Sequence, residues 1–121
     1  MLNCLAVGLG GFLGSVARYL LGMMLARESC AFPFGTLVIN VSGAFLIGII
    51  AALYLKNPNI DPRLVLMIKV GLCGGFTTFS TFSLEMLNLL EIGSYCWAVV
   101  YALCSVLMCV TATYTAQLLI R

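Results

Sequence analysis

The residues that could do chemistry here are concentrated in one stretch, Gly71-Leu72-Cys73-Gly74-Gly75-Phe76-Thr77-Thr78-Phe79-Ser80-Thr81-Phe82-Ser83, which lies inside a long apolar segment. It mixes five hydroxyl side chains with three glycines and three phenylalanines. Glycine costs about 1 kcal/mol relative to alanine within a helix, and hydroxyls in lipid must find partners. A segment meant only to cross a bilayer would avoid this mixture. It reads as an interrupted membrane helix whose polar groups serve a pore or a binding site. The plainer alternative is a hydroxyl-rich contact between helices. Within the stretch, the Gly74–Thr78 part is the expected break. Carbonyls released there need a partner, and a bound cation could supply one.

The rest of the chain must position this stretch. It has 121 residues, of which 63% are hydrophobic and 8% charged. A soluble protein carries about 25% charged residues, so this composition specifies an integral membrane protein. No basic patch alternates with aromatics, which argues against nucleic acid as a partner. There is no histidine, hence neither the commonest metal ligand nor the commonest general base. None of the cysteines (Cys4, Cys30, Cys73, Cys96, Cys104, Cys109) forms a Cys-x-x-Cys pair. They read as small packing residues, and an enzyme is the least favoured class.

Four apolar blocks, about 2–26, 34–55, 64–90 and 95–120, each approach the ~20 residues needed to cross a bilayer. They form one four-helix unit, and the first reads as a retained span. Pro33, Pro58 and Pro62 fall in the connections, where proline ends helices. In the first block Gly10-x-x-x-Gly14 and Gly11-x-x-x-Ser15 make small-residue faces for close packing. Arg18, deep in that block, either pairs in the interior or snorkels to the interface. Asn40 shares a face with Gly43 and Ala44; its amide either bonds a neighbouring helix or donates to an anion. Lys69, five residues inside the third block, reads as snorkelling. Phe76, Phe79 and Phe82 recur every third residue, as a ladder on one face. Glu85 is a functional candidate, a partner for Arg18, or interfacial. Tyr101, Ser105, Cys109 and Thr113 make a polar strip at four-residue steps. Tyr95 and Trp97 read as interfacial anchors.

Lys56, Arg63, Lys69 and Arg121 fall on one side and Arg27 and Arg18 on the other, a weak bias that allows insertion in both directions. Four helices enclose little space, so a homodimer, packed antiparallel, is expected. Amide and hydroxyl donors together with phenylalanine edges, which carry partial positive charge, suit a small hard anion. A narrow pore, most simply for an anion, follows from these residues; they do not name the ion.

Gly74-Gly75-Phe76-Thr77-Thr78-Phe79-Ser80-Thr81-Phe82-Ser83-x-Glu85 resembles the third-helix signature of the Fluc (CrcB-type) fluoride channels. Gly35-Thr36-Leu37-x-x-Asn40-x-x-Gly43 resembles their second-helix motif, and Gly10-Gly11-x-x-Gly14-x-x-x-Arg18-Tyr19 their first. The resemblance spans the whole chain and implies an all-α membrane protein: four transmembrane helices, a broken third helix, and an antiparallel dual-topology homodimer with two pathways. It implies passive fluoride export through the cell membrane, giving fluoride resistance. By the same resemblance Asn40, Phe79, Phe82, Ser80, Thr81, Glu85, Tyr101 and Ser105 would line the fluoride pathway, with Arg18 at the vestibule. Backbone carbonyls of Gly74 and Thr77 would hold a structural sodium ion at the dimer axis. Cys109 stands where a fourth-helix hydroxyl is expected, and Lys69 has no place in the pattern. A small multidrug transporter, also of four spans, would need an acid in its first helix, where this chain has Arg18. A non-transporting assembly subunit would explain the glycine faces but not the alternation of phenylalanine and hydroxyl.

Overall fold

A computed structural model describes residues 1–26 and 32–121. Arg27 and Cys30, which enter the charge and cysteine readings above, lie outside the described residues. The described chain is helical. Helix α1 (Leu2–Leu25) and helix α2 (Phe34–Lys56) are continuous. Next come a short α3 (Pro62–Val65), a π-helical segment (Leu66–Leu72), α4 (Cys73–Phe76) and α5 (Phe79–Glu91). Helix α6 (Tyr95–Ile120) closes the chain. By length and hydropathy these make four membrane spans, the third being Pro62–Glu91. The protein is a multi-pass membrane protein, and side chains such as Leu5, Leu9 and Phe12 on the outside of α1 face away from the rest of the chain.

Local chemistry sets the boundaries. Pro33 caps α2 at its start. Asp61 accepts from the Arg63 N–H at 2.8 Å, with Pro62 in the first turn of α3, a pairing that suits a helix N-terminus. Helix α5 ends in a tight turn through Gly93, whose φ of 76° favours glycine. There the Ser94 N–H donates to the Leu89 carbonyl at 2.8 Å, which sends the chain directly into α6. Lys56, in the last turn of α2, donates to the Ile120 carbonyl at 2.9 Å and ties the ends of α2 and α6 together.

Two pairings build the bundle. Helix α1 packs on the π-helical segment and α4, and α2 packs on α6. The first pairing is backbone against backbone. A methyl group on Gly10 would collide with the Met67 carbonyl, and one on Gly14 with the Leu72 carbonyl; Gly71 and Gly75 meet Val7 and Gly11 in the same way. In the second pairing Gly48 lies against Thr113 and Ala116. Thr113 Oγ1 lies 2.9 Å from the Ala44 carbonyl across the interface and 3.0 Å from the Cys109 carbonyl of its own helix. Close approach through small residues, with hydroxyls as connectors, is how helices associate where lipid supplies no hydrophobic drive. A compact cluster of Leu37, Leu89, Ala98 and Tyr101 joins α2, α5 and α6.

The interruption of the third span is narrower than the sequence indicated, and it falls at the far end of the expected window. Gly74 and Gly75 remain helical, and the extended residues are Thr77 (ψ 159°) and Thr78 (φ −149°, ψ 119°). Gly75 serves contact with α1, whereas the β-branched threonines take the extended backbone that suits them. The break also splits the phenylalanine ladder. Phe76 belongs to α4 and faces Gly43, while Phe79 and Phe82 continue on α5 with ring centroids 5.4 Å apart.

Candidate functional site

At the break, side chains from two other helices take over the backbone hydrogen bonds that the helix gives up. Asn40 on α2 meets the Thr78 peptide with both ends of its amide. The Thr78 N–H donates to Asn40 Oδ1 at 2.8 Å, and Asn40 Nδ2 donates to the Thr78 carbonyl at 3.0 Å. This reciprocal pair fixes which end of the amide is nitrogen and leaves one Nδ2 hydrogen uncommitted. Arg18 on α1 donates from Nε to the Gly75 carbonyl at 3.0 Å. Of its two readings, the interior pairing is the one seen, with a carbonyl as the partner. Thr77 turns its N–H and its hydroxyl onto the Cys73 carbonyl, at 3.0 and 2.9 Å.

Thr78 begins α5 as its N-cap, accepting from the Thr81 N–H at 3.2 Å. Its hydroxyl also donates to Thr81 Oγ1 at 3.0 Å and lies 3.4 Å from Ser80 Oγ. These three hydroxyls form one connected group. The carbonyls of Gly74 and Thr77 are among those left over. The helical donor for Gly74 would be the Thr78 N–H, which goes to Asn40 instead. The donor for Thr77 would be the Thr81 N–H, which goes to the Thr78 hydroxyl. Released carbonyl oxygens are donors suited to a hard cation, so Gly74 and Thr77 fit the chemistry of an alkali ion. Among the described residues no cluster of three His, Cys, Asp or Glu offers a side-chain alternative.

A second polar group sits beyond the phenylalanines. Glu85 on α5 accepts from Thr36 Oγ1 at 2.7 Å and from the Tyr101 hydroxyl at 2.6 Å, so one carboxylate links α2, α5 and α6. Tyr101 is fully buried. Glu85 makes no ion pair with Arg18. Aromatic rings run from the break toward this carboxylate and past it: Phe79 to Phe82 at 5.4 Å, Phe82 to Tyr101 at 5.0 Å, then Phe32 at 5.5 Å from both Tyr101 and Trp97.

An open cavity of about 540 Å³ lies on the side of the break away from α1. Its wall brings together Asn40, Phe79, Phe82 and Ser105 of the expected pathway and Gly74 and Thr77 of the expected cation site. Ser80, Thr81, Glu85, Tyr101 and Arg18 are not on it. Ser105 Oγ is buried without a hydrogen-bond partner, and such a group ordinarily has one. Phe79 is 79% exposed on the single chain. Cys109 shares the wall, whereas Thr113, the next residue of the expected polar strip, is committed to the contact of α6 with α2.

Sequence reasoning gave no individual role to Thr78, Thr36 or Lys69, all of which matter here. Thr78 stands three residues before Thr81 at the start of an apolar run, the spacing of a hydroxyl N-cap. Thr36 precedes Asn40 by one helical turn and so shares its face. Lys69 lines the cavity from the π-helical segment, four residues before Cys73 on the same wall.

Comparison with known proteins is consistent along the chain. Residues 5–117 match the family of CrcB-like proteins, Camphor Resistance (CrcB). The fluoride-specific ion channel FluC of Geobacter metallireducens is 47% identical over 115 residues, covering 94% of this chain and 93% of the relative. The fluoride-specific ion channel FluC of Erwinia tasmaniensis is 44% identical over 119 residues, covering 95% of each. The fluoride-specific ion channel FluC 1 of Yersinia pseudotuberculosis is 43% identical over 117 residues, covering 97% of this chain and 92% of the relative.

Proposed function

The chain belongs to the CrcB-like family, and from that premise we propose that it is a fluoride-selective channel that lets fluoride leave the cell passively and so protects the cytoplasm. The observation that carries this reading is the cavity at the break, where Asn40, Phe79, Phe82 and Ser105 converge. Fluoride is small and strongly hydrated. It crosses only where donors replace its water as that water is lost. The uncommitted Nδ2 hydrogen of Asn40 and the unpartnered Ser105 hydroxyl supply such donors. The edges of Phe79 and Phe82 offer partial positive charge without a competing acceptor. Ser80 and Thr81 extend the track with hydroxyls, and Tyr101 and Glu85 stand at its far end. Arg18 borders the vestibule with the guanidinium hydrogens that Gly75 does not use.

The functional unit in this reading is a homodimer, two copies packed antiparallel in the cell membrane with two pathways between them. The second copy covers the exposed face around Phe79. Two copies also bring together four released carbonyls, from Gly74 and Thr77 of each chain, which suit one sodium ion at the axis. Such an ion supplies charge that holds these carbonyls in place; within each chain the break is held by Asn40, Arg18 and the Thr78 cap.

Growth of a fluoride-sensitive bacterial strain tests the physiological claim. Expression of the chain is expected to restore growth in fluoride-containing medium, and the Phe79→Ile variant, expressed at the same level in the membrane, is not. Rescue by Phe79→Ile equal to that by the native chain would remove Phe79 from the pathway.

A further inference from the structure

Lys69 lies seven residues into the third span, on the order of 10 Å from its start at the rise of a helix. It lines the same cavity as Asn40, Gly74, Thr77 and Phe79. Every other described residue on that wall is uncharged; Glu85 is on a different surface, held by Thr36 and Tyr101. Lys69 makes no hydrogen bond or ion pair with the described residues. Arg18, the other basic residue well inside a span, is tied to the Gly75 carbonyl. A lysine ammonium at membrane depth is costly unless it meets water or an opposite charge. Neither the neighbouring side chains nor a carboxylate on this chain's wall provides the charge, and the cavity, open on the single chain, has room for water or a mobile anion.

We propose that Lys69 is the anion-attracting charge of this cavity: its ammonium concentrates fluoride at the approach to Asn40 and Phe79 and speeds entry without forming part of the dehydrated site. The inference rests on the fluoride-channel reading and adds to it a residue that sets the entry rate. The neutral wall and low-dielectric surroundings focus the field of a single charge toward the cavity opening. Lys69 stands four and eight residues before Cys73 and Thr77, which line the same wall, so the third span carries it on their face.

Fluoride efflux from liposomes holding the purified protein, read with a fluoride electrode, tests this with the series Lys69→Arg, Lys69→Gln and Lys69→Glu. At about 20 mM ionic strength, where the Debye length is long, Lys69→Gln is expected to slow efflux roughly three- to ten-fold and Lys69→Glu more, with Lys69→Arg close to the native rate. At about 500 mM the differences are expected to shrink below about two-fold as screening sets in. A purely structural role would give a loss indifferent to salt and to the sign of the charge. Equal rates across the series at low salt, or an equal loss at both salt concentrations, would overturn the proposal. So would a low-salt rate for Lys69→Arg as poor as that for Lys69→Gln. The native protein's own efflux in the same vesicles judges the channel reading separately: fluoride release that does not vary across the series sinks the role of Lys69 and leaves the channel standing.

Discussion

Asn40→Asp is expected to abolish fluoride efflux from liposomes while the purified protein still elutes as the native one does. Aspartate keeps the acceptor that receives the Thr78 N–H at 2.8 Å, so one side of the break is still held. It loses both Nδ2 hydrogens. The hydrogen that reaches the Thr78 carbonyl at 3.0 Å is replaced by an oxygen facing an oxygen. The hydrogen left for the anion is replaced by negative charge on the cavity wall, in a place where the wall otherwise carries only Lys69. Losing a donor to a charged partner costs about 1.5–3 kcal/mol. At about 1.4 kcal/mol per tenfold, and with like-charge repulsion added, the loss of flux is expected to be at least roughly 100-fold. Efflux within a few-fold of native would show that the Asn40 amide serves only the backbone of the break.

Gly14→Ala is expected to prevent stable folding, and Gly8→Ala to be neutral or slightly stabilising, although both glycines sit in α1. A methyl group at Gly14 would drive into the Leu72 carbonyl and crowd the Phe76 N–H, both fixed backbone groups. The helices would have to separate, and overpacking of this kind costs about 1–3 kcal/mol or more. A methyl group at Gly8 meets nothing within 4 Å, so the substitution keeps the helix-propensity gain of about 1 kcal/mol. Thermal unfolding of the two variants in detergent, followed by loss of the monodisperse elution peak, separates them. Equal melting temperatures would mean that α1 does not approach the third span as closely as described.

The sequence made some of this arrangement visible and concealed the rest for definite reasons. Four spans, the glycine faces of α1 and a broken third helix could be read from it, since hydropathy, small-residue spacing and an excess of hydroxyls are local signals. The position of the break could not. Glycine is both a helix breaker and a packing residue, and at Gly74 and Gly75 the helix continues through Phe76, with the extended backbone at Thr77 and Thr78. Reading Phe76, Phe79 and Phe82 as one ladder assumed a continuous helix through the break.

The partners of Arg18 and Asn40 lie 57 and 38 residues away and are backbone groups, which no side-chain pattern reveals. Thr36, Glu85 and Tyr101 come from three helices, and only their packing shows that one carboxylate links them. Lys69, read as snorkelling from its distance to the end of the span, lies on the cavity wall four residues before Cys73. Cys109 does share the wall with Ser105. The strip drawn from four-residue spacing thus divides, with Ser105 and Cys109 at the cavity and Thr113 in the contact between α6 and α2.

The central claim, that the polar break and its phenylalanines conduct fluoride selectively, is tested most directly by ion efflux from liposomes carrying the purified native protein, with fluoride and chloride measured side by side. Rapid fluoride release without chloride release is the predicted result. Equal release of both ions, or release of neither, would contradict it.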